Sequence, residues 1–526
     1  MRTLFLFLLL LFSVAGHSQT VFVEGKQSGE WAADTVVVTG DVKVIDTLLI
    51  TPGVTVLFDG FYTIMVEDGA SFIAEGNASD SIVFTVADTT DFHVYNSGRG
   101  GWNGFRLDHA GKVRFDYCLL QYGKAADTLD RFGGALNILD CHDLVFNHTA
   151  IRCNFSREHG GGLNAENSTL VFSHCSINGN RLYTSDPTYA MYAAGARFLK
   201  CDVTMTDMEF RDNYGPTSIG GGMSLDSCSV ILDRAVFADN IAINGGGFYI
   251  MRCNDKECRL SNMLVTGNYS GHFAGGFAFA DASPEVYNAT VVGNSSEGVN
   301  CNGVFFYQHS SPKLNNCIVY GNYPPEGHAI GDTIQLWAWT FDDYAPEFRN
   351  CLIEKGSASI TNFEYIKVFE NIIDADPLFV RPEEGDYHLA EGSPCRDAGV
   401  ETLPEYLLNG TDLDGLPRVA NQRIDLGPYE YSPTSVLQQK PEPSAVIEGN
   451  PLNAQSRLRI RLSQAGRVVL NVYDLTGRRV ASESFDHLTQ GLHSLELGSM
   501  VNELKSGLYL LELSTPDEMI ILKAVR

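Results

Sequence analysis

Two imidazoles, two carboxylates and a guanidinium recur along the middle of this chain at similar intervals. His148, His174, Asp207 and Arg234 are separated by 26, 33 and 27 residues, and Glu209 follows Asp207 by two. Arg152 and Arg211 stand near them. A histidine or carboxylate in such a set could abstract a proton, and an arginine could hold a substrate carboxylate. A carboxylate pair could cut a glycosidic bond by acid and base action. Two histidines and an aspartate could also begin a metal set. A solvated face needs the same residue types, however, so chemistry depends on what brings such distant residues together.

A second candidate is the segment Gln335-Leu-Trp-Ala-Trp-Thr-Phe-Asp-Asp-Tyr344. Trp337, Trp339 and Phe341 alternate, so a strand would place all three on one face as a shelf for stacking sugar rings. The competing reading makes these aromatics a cover for the core. Asp342 and Asp343 lie beside them. A third candidate is residues 181–192, an insertion carrying Tyr183, Tyr189 and Tyr192. Loops carry function more often than regular elements do, but a plain surface flap fits too. The pairs Asp374-x-Asp376 and Asp412-x-Asp414 could contribute to a Ca²⁺ site, without the other ligands of a recognisable loop. No zinc-spaced cluster, phosphate loop or nucleophile elbow accompanies them, so no metal or cofactor is demanded.

The elements that must position these residues show as a repeat. Seven times a glycine-rich turn and an apolar residue are followed by an asparagine: Asn154, Asn180, Asn213, Asn240, Asn268, Asn294 and Asn322. Ile151, Ile177, Phe210, Phe237, Val265, Val291 and Val319 stand three residues before them. The apolar residues after the turns are Leu136, Leu163, Ala196, Met223, Phe248, Phe277 and Phe305. A period this short, rich in Val, Ile, Phe and Thr, marks a β-solenoid in which each unit is one coil. Stacked coils lie about 4.8 Å apart, and equivalent side chains form ladders. Asparagine suits such a ladder because it tolerates tight turns and its amide can bond the asparagine above and below. His148, His174, Asp207 and Arg234 each precede an asparagine of the ladder by six. They should form an outward stripe about 14 Å long.

Two inward columns test the register. Five residues before the asparagines stand Thr149, Cys175, Met208, Ala235, Met263, Ala289 and Cys317. Five after the apolar residues stand Cys141, Ser168, Cys201, Cys228, Cys253, Ala282 and Ser310. Half of the twelve cysteines fall in these columns, as small side chains filling a narrow interior. Side chains pointing the same way from parallel strands bridge poorly, so thiols are expected there. Cys253 and Cys258 flank a locally longer coil and are the pair best suited to a disulfide.

The ends differ from the middle. Residues 1–18 read as a secretory signal, with Arg2, an apolar run over 4–12 and small residues over 14–18. No segment is long and apolar enough for a transmembrane helix. Short strands over 35–38, 42–45, 54–58, 62–66, 71–74 and 82–85 read as the first coils and an N-terminal cap. Residues 352–431 should close the other end. A Pro- and Gln-containing linker over 432–445 then leads to 446–526, where acidic and basic residues balance. The whole net charge of −27 therefore lies upstream, which disfavours nucleic acid and anionic membrane as partners.

The Gly-Gly-apolar and F/I/V-x-x-N signatures resemble those of right-handed parallel β-helix proteins, including the chlamydial polymorphic outer-membrane proteins. Asp374-Ala-Asp-Pro-Leu-Phe-Val380, Asp386-Tyr-His-Leu389, Asp397-Ala-Gly399, Asp412-Leu-Asp-Gly415 and Ile424-Asp-Leu-Gly427 resemble the end of β-helix domains in secreted Bacteroidetes proteins. These likenesses cover roughly residues 35–431. Asn450-Pro451, Val472-Tyr-Asp-Leu-Thr-Gly-Arg-Arg-Val480, Gly491-Leu-His493 and Leu504-Lys-Ser-Gly-Leu-Tyr509 closely resemble the type A C-terminal sorting domain of the type IX secretion system. Gly449 stands where that family usually has tyrosine, and Lys523 and Arg526 are separated where it often has adjacent basic residues. The resemblances imply an all-β chain: a right-handed parallel β-helix over 19–431 and a small C-terminal β-sandwich. They also imply export by the type IX machinery to the medium or the outer-membrane surface. Asp-Ser/Thr-apolar triplets at Asp34, Asp46, Asp80, Asp127 and Asp332 resemble Bacteroidetes O-glycosylation sites.

Three functions remain open. The solenoid could bind extracellular polysaccharide or protein without catalysis. It could be a polysaccharide lyase or glycoside hydrolase using the His148–Arg234 stripe. It could be purely structural at the surface.

Overall fold

The computed structural model describes residues 19–526 apart from 93, 95–96, 127–130, 184–190, 299–300, 326–333, 342, 403, 420–422, 433–444, 449–451, 454–455, 463–464, 475–478, 490, 503, 506–507 and 516–518. The signal over 1–18, most of the linker, Asn450-Pro451, Tyr189, Asp127, Asp332 and Asp342 thus lie outside the described residues.

Thirty strands, from Thr20–Trp31 to Val368–Glu370, form one continuous set of parallel ladders. One coil shows the plan. Ala196–Leu199 runs straight, and the chain bends at Lys200. Asp202–Arg211 follows, bent at Asp207, and after a third bend at Asp212 comes the ladder residue Asn213. All three bend residues adopt left-handed backbone, at φ 53°, 55° and 55°. That conformation is uncommon outside glycine, with Asn, Asp and His enriched in it. Three such corners fold each coil into flat sides whose alternate side chains turn inward. Corner positions thereby become columns: Tyr117, His148, His174, Asp207, Arg234, Asn262, Asn288, Asn316 and Asn350 all have positive φ.

The register anchored on the asparagines holds coil by coil. Cys175 pairs with Met208, Met208 with Ala235, Ala235 with Met263, and Met263 with Ala289. Every residue of both small-residue columns is buried. The asparagine ladder is fully buried from Asn154 to Asn322. Asn240 is typical. Its Nδ2 donates to Phe210 O and to Asn268 Oδ1, both at 2.9 Å. Its Oδ1 accepts from the backbone and side-chain nitrogens of Asn213 at 3.1 and 2.9 Å. Gln335 extends the ladder by one coil, its Oε1 accepting from Asn322 Nδ2 at 2.7 Å. The longer side chain reaches the same place from a different turn, so the asparagine pattern stops one coil before the stack does.

Four expectations are corrected. The coils begin at Thr20, not residue 35: Thr20–Trp31 pairs in parallel with Thr35–Ile50. Among the described residues nothing pairs with its outer edge, and Phe22 is 71% exposed there. Charged Glu24, Lys26 and Glu30 along that edge discourage strand addition. Phe305 is not the inward residue of its coil. Phe277 pairs with Val304, so Val304 and Phe306 point inward and Phe305 outward. The anchoring glycine is Gly303, and a one-residue slip moves a side chain to the other face. All twelve cysteines are free thiols, Cys253 and Cys258 included. Both fill the interior, where Cys253 Sγ donates to Met251 O at 3.1 Å and burial pushes its thiol up to about 12. Finally, residues 374–431 do not plug the end of the stack. The last half-coil, Ile360–Thr361 and Val368–Glu370, covers that end. The segment beyond it folds back along one flank.

That flank explains a change in the corner column. Asn288 Nδ2 donates to Asp425 O and Gly427 O at 2.8 and 3.1 Å. Val400 N donates to Asn316 Oδ1 at 2.8 Å, and Asn350 Nδ2 to Ala398 O at 2.8 Å. Asn262 Nδ2 reaches Thr411 O at 3.3 Å. The corner carries asparagine where another backbone lies on it and His, Asp or Arg where water does. The adjoining outward column changes in step, from Ser176 and Glu209 to Val236, Leu264, Thr290, Ile318 and Leu352. Ile318 and Leu352 pack against Leu389, Cys395 and Leu426 of the folded-back segment. Inside the segment Arg418 is fully buried, 3.1 Å from Glu430, and donates to Gly427 O at 2.8 Å.

The C-terminal region has two antiparallel sheets around its own core. One holds Ala445–Glu448, Arg457–Leu462 and Gly491–Glu496. The other holds Arg479–Leu488, Gly466–Asp474, Leu508–Ser514 and Met519–Val525. Leu458, Leu470, Leu511 and Leu513 lie between them. This unit rests on the solenoid: Tyr473 packs with Tyr214, Ile241 and Tyr269, each one residue past a ladder asparagine.

Candidate functional site

The coil stack brings the sequence stripe together as a corner. The Tyr117, His148 and His174 rings stack at 4.3 and 4.7 Å, each pair within 6° of parallel. Ser173 Oγ lies 2.9 Å from His174 Nδ1, and His174 Nε2 lies 3.4 Å from Asp207 Oδ2. Arg234 grips Asp207 with two hydrogen bonds, Nε to Oδ1 at 2.7 Å and Nη2 to Oδ2 at 3.0 Å. It also pairs with Asp233. The hydrogen bond to Asp207 holds the guanidinium above its ordinary pKa, with the Asp233 charge adding to it. Glu209 pairs with Arg211, and Arg152 Nε donates to Gln121 Oε1 at 3.1 Å. The stripe is thus a run of stacked rings ending in a chelated ion pair. Each member sits on a bend whose inner side is the core, so the surface there is convex. Its one central carboxylate, Asp207, has both oxygens bonded to arginine.

The second candidate lies on a different face. In Leu336–Thr340, Leu336, Ala338 and Thr340 point inward, while Trp337 and Trp339 point outward. Phe305 pairs with Trp337 and Tyr307 with Trp339 on the neighbouring strand. Trp337 is 7% exposed, packed with Phe273 and Phe305 at ring distances of 5.3 and 4.8 Å. Trp339 stacks on it at 5.2 Å and is 40% exposed. Phe341 and Tyr344, beyond the strand, are exposed to 40% and 38%. Tyr307 stands 5.6 Å from Trp339 and 6.2 Å from Phe341, and His309 stands 5.1 Å from Tyr344. The result is a platform rooted on buried Trp337 and open at Trp339, Phe341 and Tyr344. Sequence reading missed Tyr307 and His309 here. The slip at Val304 put the preceding strand on the wrong face; the run Phe305-Phe-Tyr307 was the available signal.

The aspartate pairs are used locally. Asp374 Oδ1 accepts from Lys355 N and Asp376 Oδ1 from Leu378 N, both at 2.8 Å. Asp412 Oδ1 accepts from Asp414 N and Leu416 N, and Asp414 pairs with His388. Among the described residues no three His, Cys, Asp or Glu side chains are grouped to hold a metal ion. In the insertion, Arg181 is turned toward the C-terminal region. Its Nη2 lies 2.5 Å from Glu512 Oε2, and its guanidinium lies over the Tyr473 ring at 5.1 Å.

Ladders, three-cornered coils and an appended antiparallel unit define a parallel β-solenoid followed by a small antiparallel domain. Residues 81–291 match the family model for the right-handed beta helix region, and residues 450–525 match the secretion system C-terminal sorting domain. The chain is a right-handed parallel β-helix protein with a type IX sorting domain, directed to the cell surface or the medium. No curated protein matches it. Among the described residues no helix is long and apolar enough to cross a membrane.

Proposed function

We propose that this protein binds an extracellular carbohydrate on the aromatic platform and does no chemistry on it. The observation that carries this reading is the exposed trio Trp339, Phe341 and Tyr344 over a buried Trp337 base. Large rings grouped in water mark a binding site, and a rigid base spares the entropy of arranging them. Sugar rings stack on such faces, and Tyr307 and Tyr344 hydroxyls beside them offer polar contacts. A protein ligand is the other occupant of a flat aromatic surface. The stripe is a weaker candidate for catalysis, because a convex corner cannot surround a substrate and Asp207 is held by Arg234.

The test is retention of the full chain on columns of neutral and acidic polysaccharides, with product ends followed in parallel. Retention by one polysaccharide is expected, without new reducing or unsaturated ends. Trp339→Ala should weaken it by about 1 kcal/mol, the scale of one aromatic contact. Cleavage abolished by His174→Ala and Asp207→Ala would replace this reading with the enzymatic one.

A further inference from the structure

We propose that a polar pocket between the solenoid and its folded-back segment binds a small hydroxylated organic anion, carrying a carboxylate or phosphate. The pocket has a volume of about 470 Å³, within the usual range for small-molecule sites. Its floor is the outward face of three adjacent strands, where Tyr287, Asn315 and Arg349 stand in register. Its wall comes from the folded-back segment, which contributes Glu401 and Arg423. Parts of the chain remote in sequence therefore build the site, and it shares no residue with the His148–Arg234 stripe or the aromatic platform.

Two observations point to a ligand. Asn315 is 6% exposed, yet among the described residues its carboxamide has no hydrogen-bond partner. Nearby on the same flank, Asn288 donates to Asp425 O and Asn350 to Ala398 O, although the side-chain oxygens of Asn244 and Asn262 elsewhere in the solenoid are also unpartnered among the described residues. A buried amide left open toward a pocket is a recognition group waiting for a donor or acceptor. The second observation is the charge balance. Arg349 is paired with Glu347 at 2.6 Å. Arg423 donates to Gly399 O at 2.5 Å but has no carboxylate partner among the described residues. Its guanidinium can take the anionic group, Asn315 can bond a hydroxyl from below, and Glu401 supplies an acceptor for another hydroxyl at the rim. A neutral sugar would leave Arg423 unanswered, and an apolar ligand would leave Asn315 so.

The experiment is calorimetric titration of the full chain with gluconate, glucose 6-phosphate and glucose. At least one anion should bind saturably, with glucose about tenfold weaker or worse, the usual margin of one charge-assisted contact. Preference for gluconate assigns a carboxylate ligand, and preference for glucose 6-phosphate a phosphate. Arg423→Gln, at an exposed position, and Asn315→Asp, which keeps the shape but adds a negative charge, should each weaken binding about tenfold. Trp339→Ala should leave it unchanged, so this site and the platform are tested separately. The proposal is overturned if neither anion binds, if glucose binds as well as both, or if Arg423→Gln binds like the parent.

Discussion

At the scale of single residues, the asparagine ladder is the most demanding feature of this molecule. Each fully buried carboxamide uses its donor and acceptor capacity along the stack. Asn240→Ala would leave Phe210 O and the nitrogens of Asn213 without that partner, while Asn268 Oδ1 would keep the backbone N–H of residue 240. Unsatisfied buried groups cost about 1–3 kcal/mol each. Asn240→Ala is therefore expected to destabilise the solenoid by about 3 kcal/mol or more, read from its urea midpoint against the parent protein. A shift under about 1 kcal/mol would mean that water replaces the amide. The column was readable from sequence because the same side chain meets the same need in successive coils. Gln335 escaped notice because it meets that need with a different residue.

At the scale of elements, the folded-back segment has its own fastening. His388 lies between two carboxylates, Nδ1 2.6 Å from Asp386 and Nε2 2.7 Å from Asp414, with its ring 4.1 Å from that of Tyr429. Burial lowers its pKa, but the bonds to Asp414 and Asp386 and their charges prevail and raise it above 6.5. A histidine raised on folding contributes stability that is complete below its unfolded pKa and is lost as pH rises through the folded value. Attachment of the segment should thus weaken as pH rises above about 6.5 and through the raised folded value, read as faster amide exchange over the described part of 379–431. His388→Gln should flatten that dependence; an unchanged profile would assign it to other groups. Sequence reading put this segment at the end of the stack, since loss of the repeat looks the same whether the chain caps the end or turns back. What distinguishes the two is the switch from His and Asp to Asn along the corner, meaningful only once the overlying backbone is seen.

At the scale of the whole molecule, the sorting domain meets the β-helix, among the described residues, through a buried ion pair and a tyrosine cluster. Arg181 and Glu512 side chains are 13% and 7% exposed, and Asn471 Nδ2 and Tyr473 Oη also donate to Glu512. Breaking one side of such a pair costs about 3–5 kcal/mol, because the remaining charge stays buried. Arg181→Glu should release the domain, increasing the radius of gyration of the full chain in solution scattering. Arg181→Glu with Glu512→Arg should restore the compact form. No expansion in the single variant would show that the tyrosine contacts suffice.

The local chemistry of the chain determined its coils. Spacing of asparagines, glycine turns and small residues named the solenoid, its register and both inward columns, because every coil repeats one set of short-range requirements. The sorting domain was equally legible, its motifs lying in compact turns and strands. Tertiary structure decided how the outward residues meet the rest of the chain. It made the His148–Arg234 stripe a convex corner and moved Phe305 outward to join Trp337. It also laid residues 374–431 over the flank and set Arg423 opposite Asn315. Those relations join residues far apart in sequence through packing that no local pattern encodes, and they are where the binding surfaces of this protein arise.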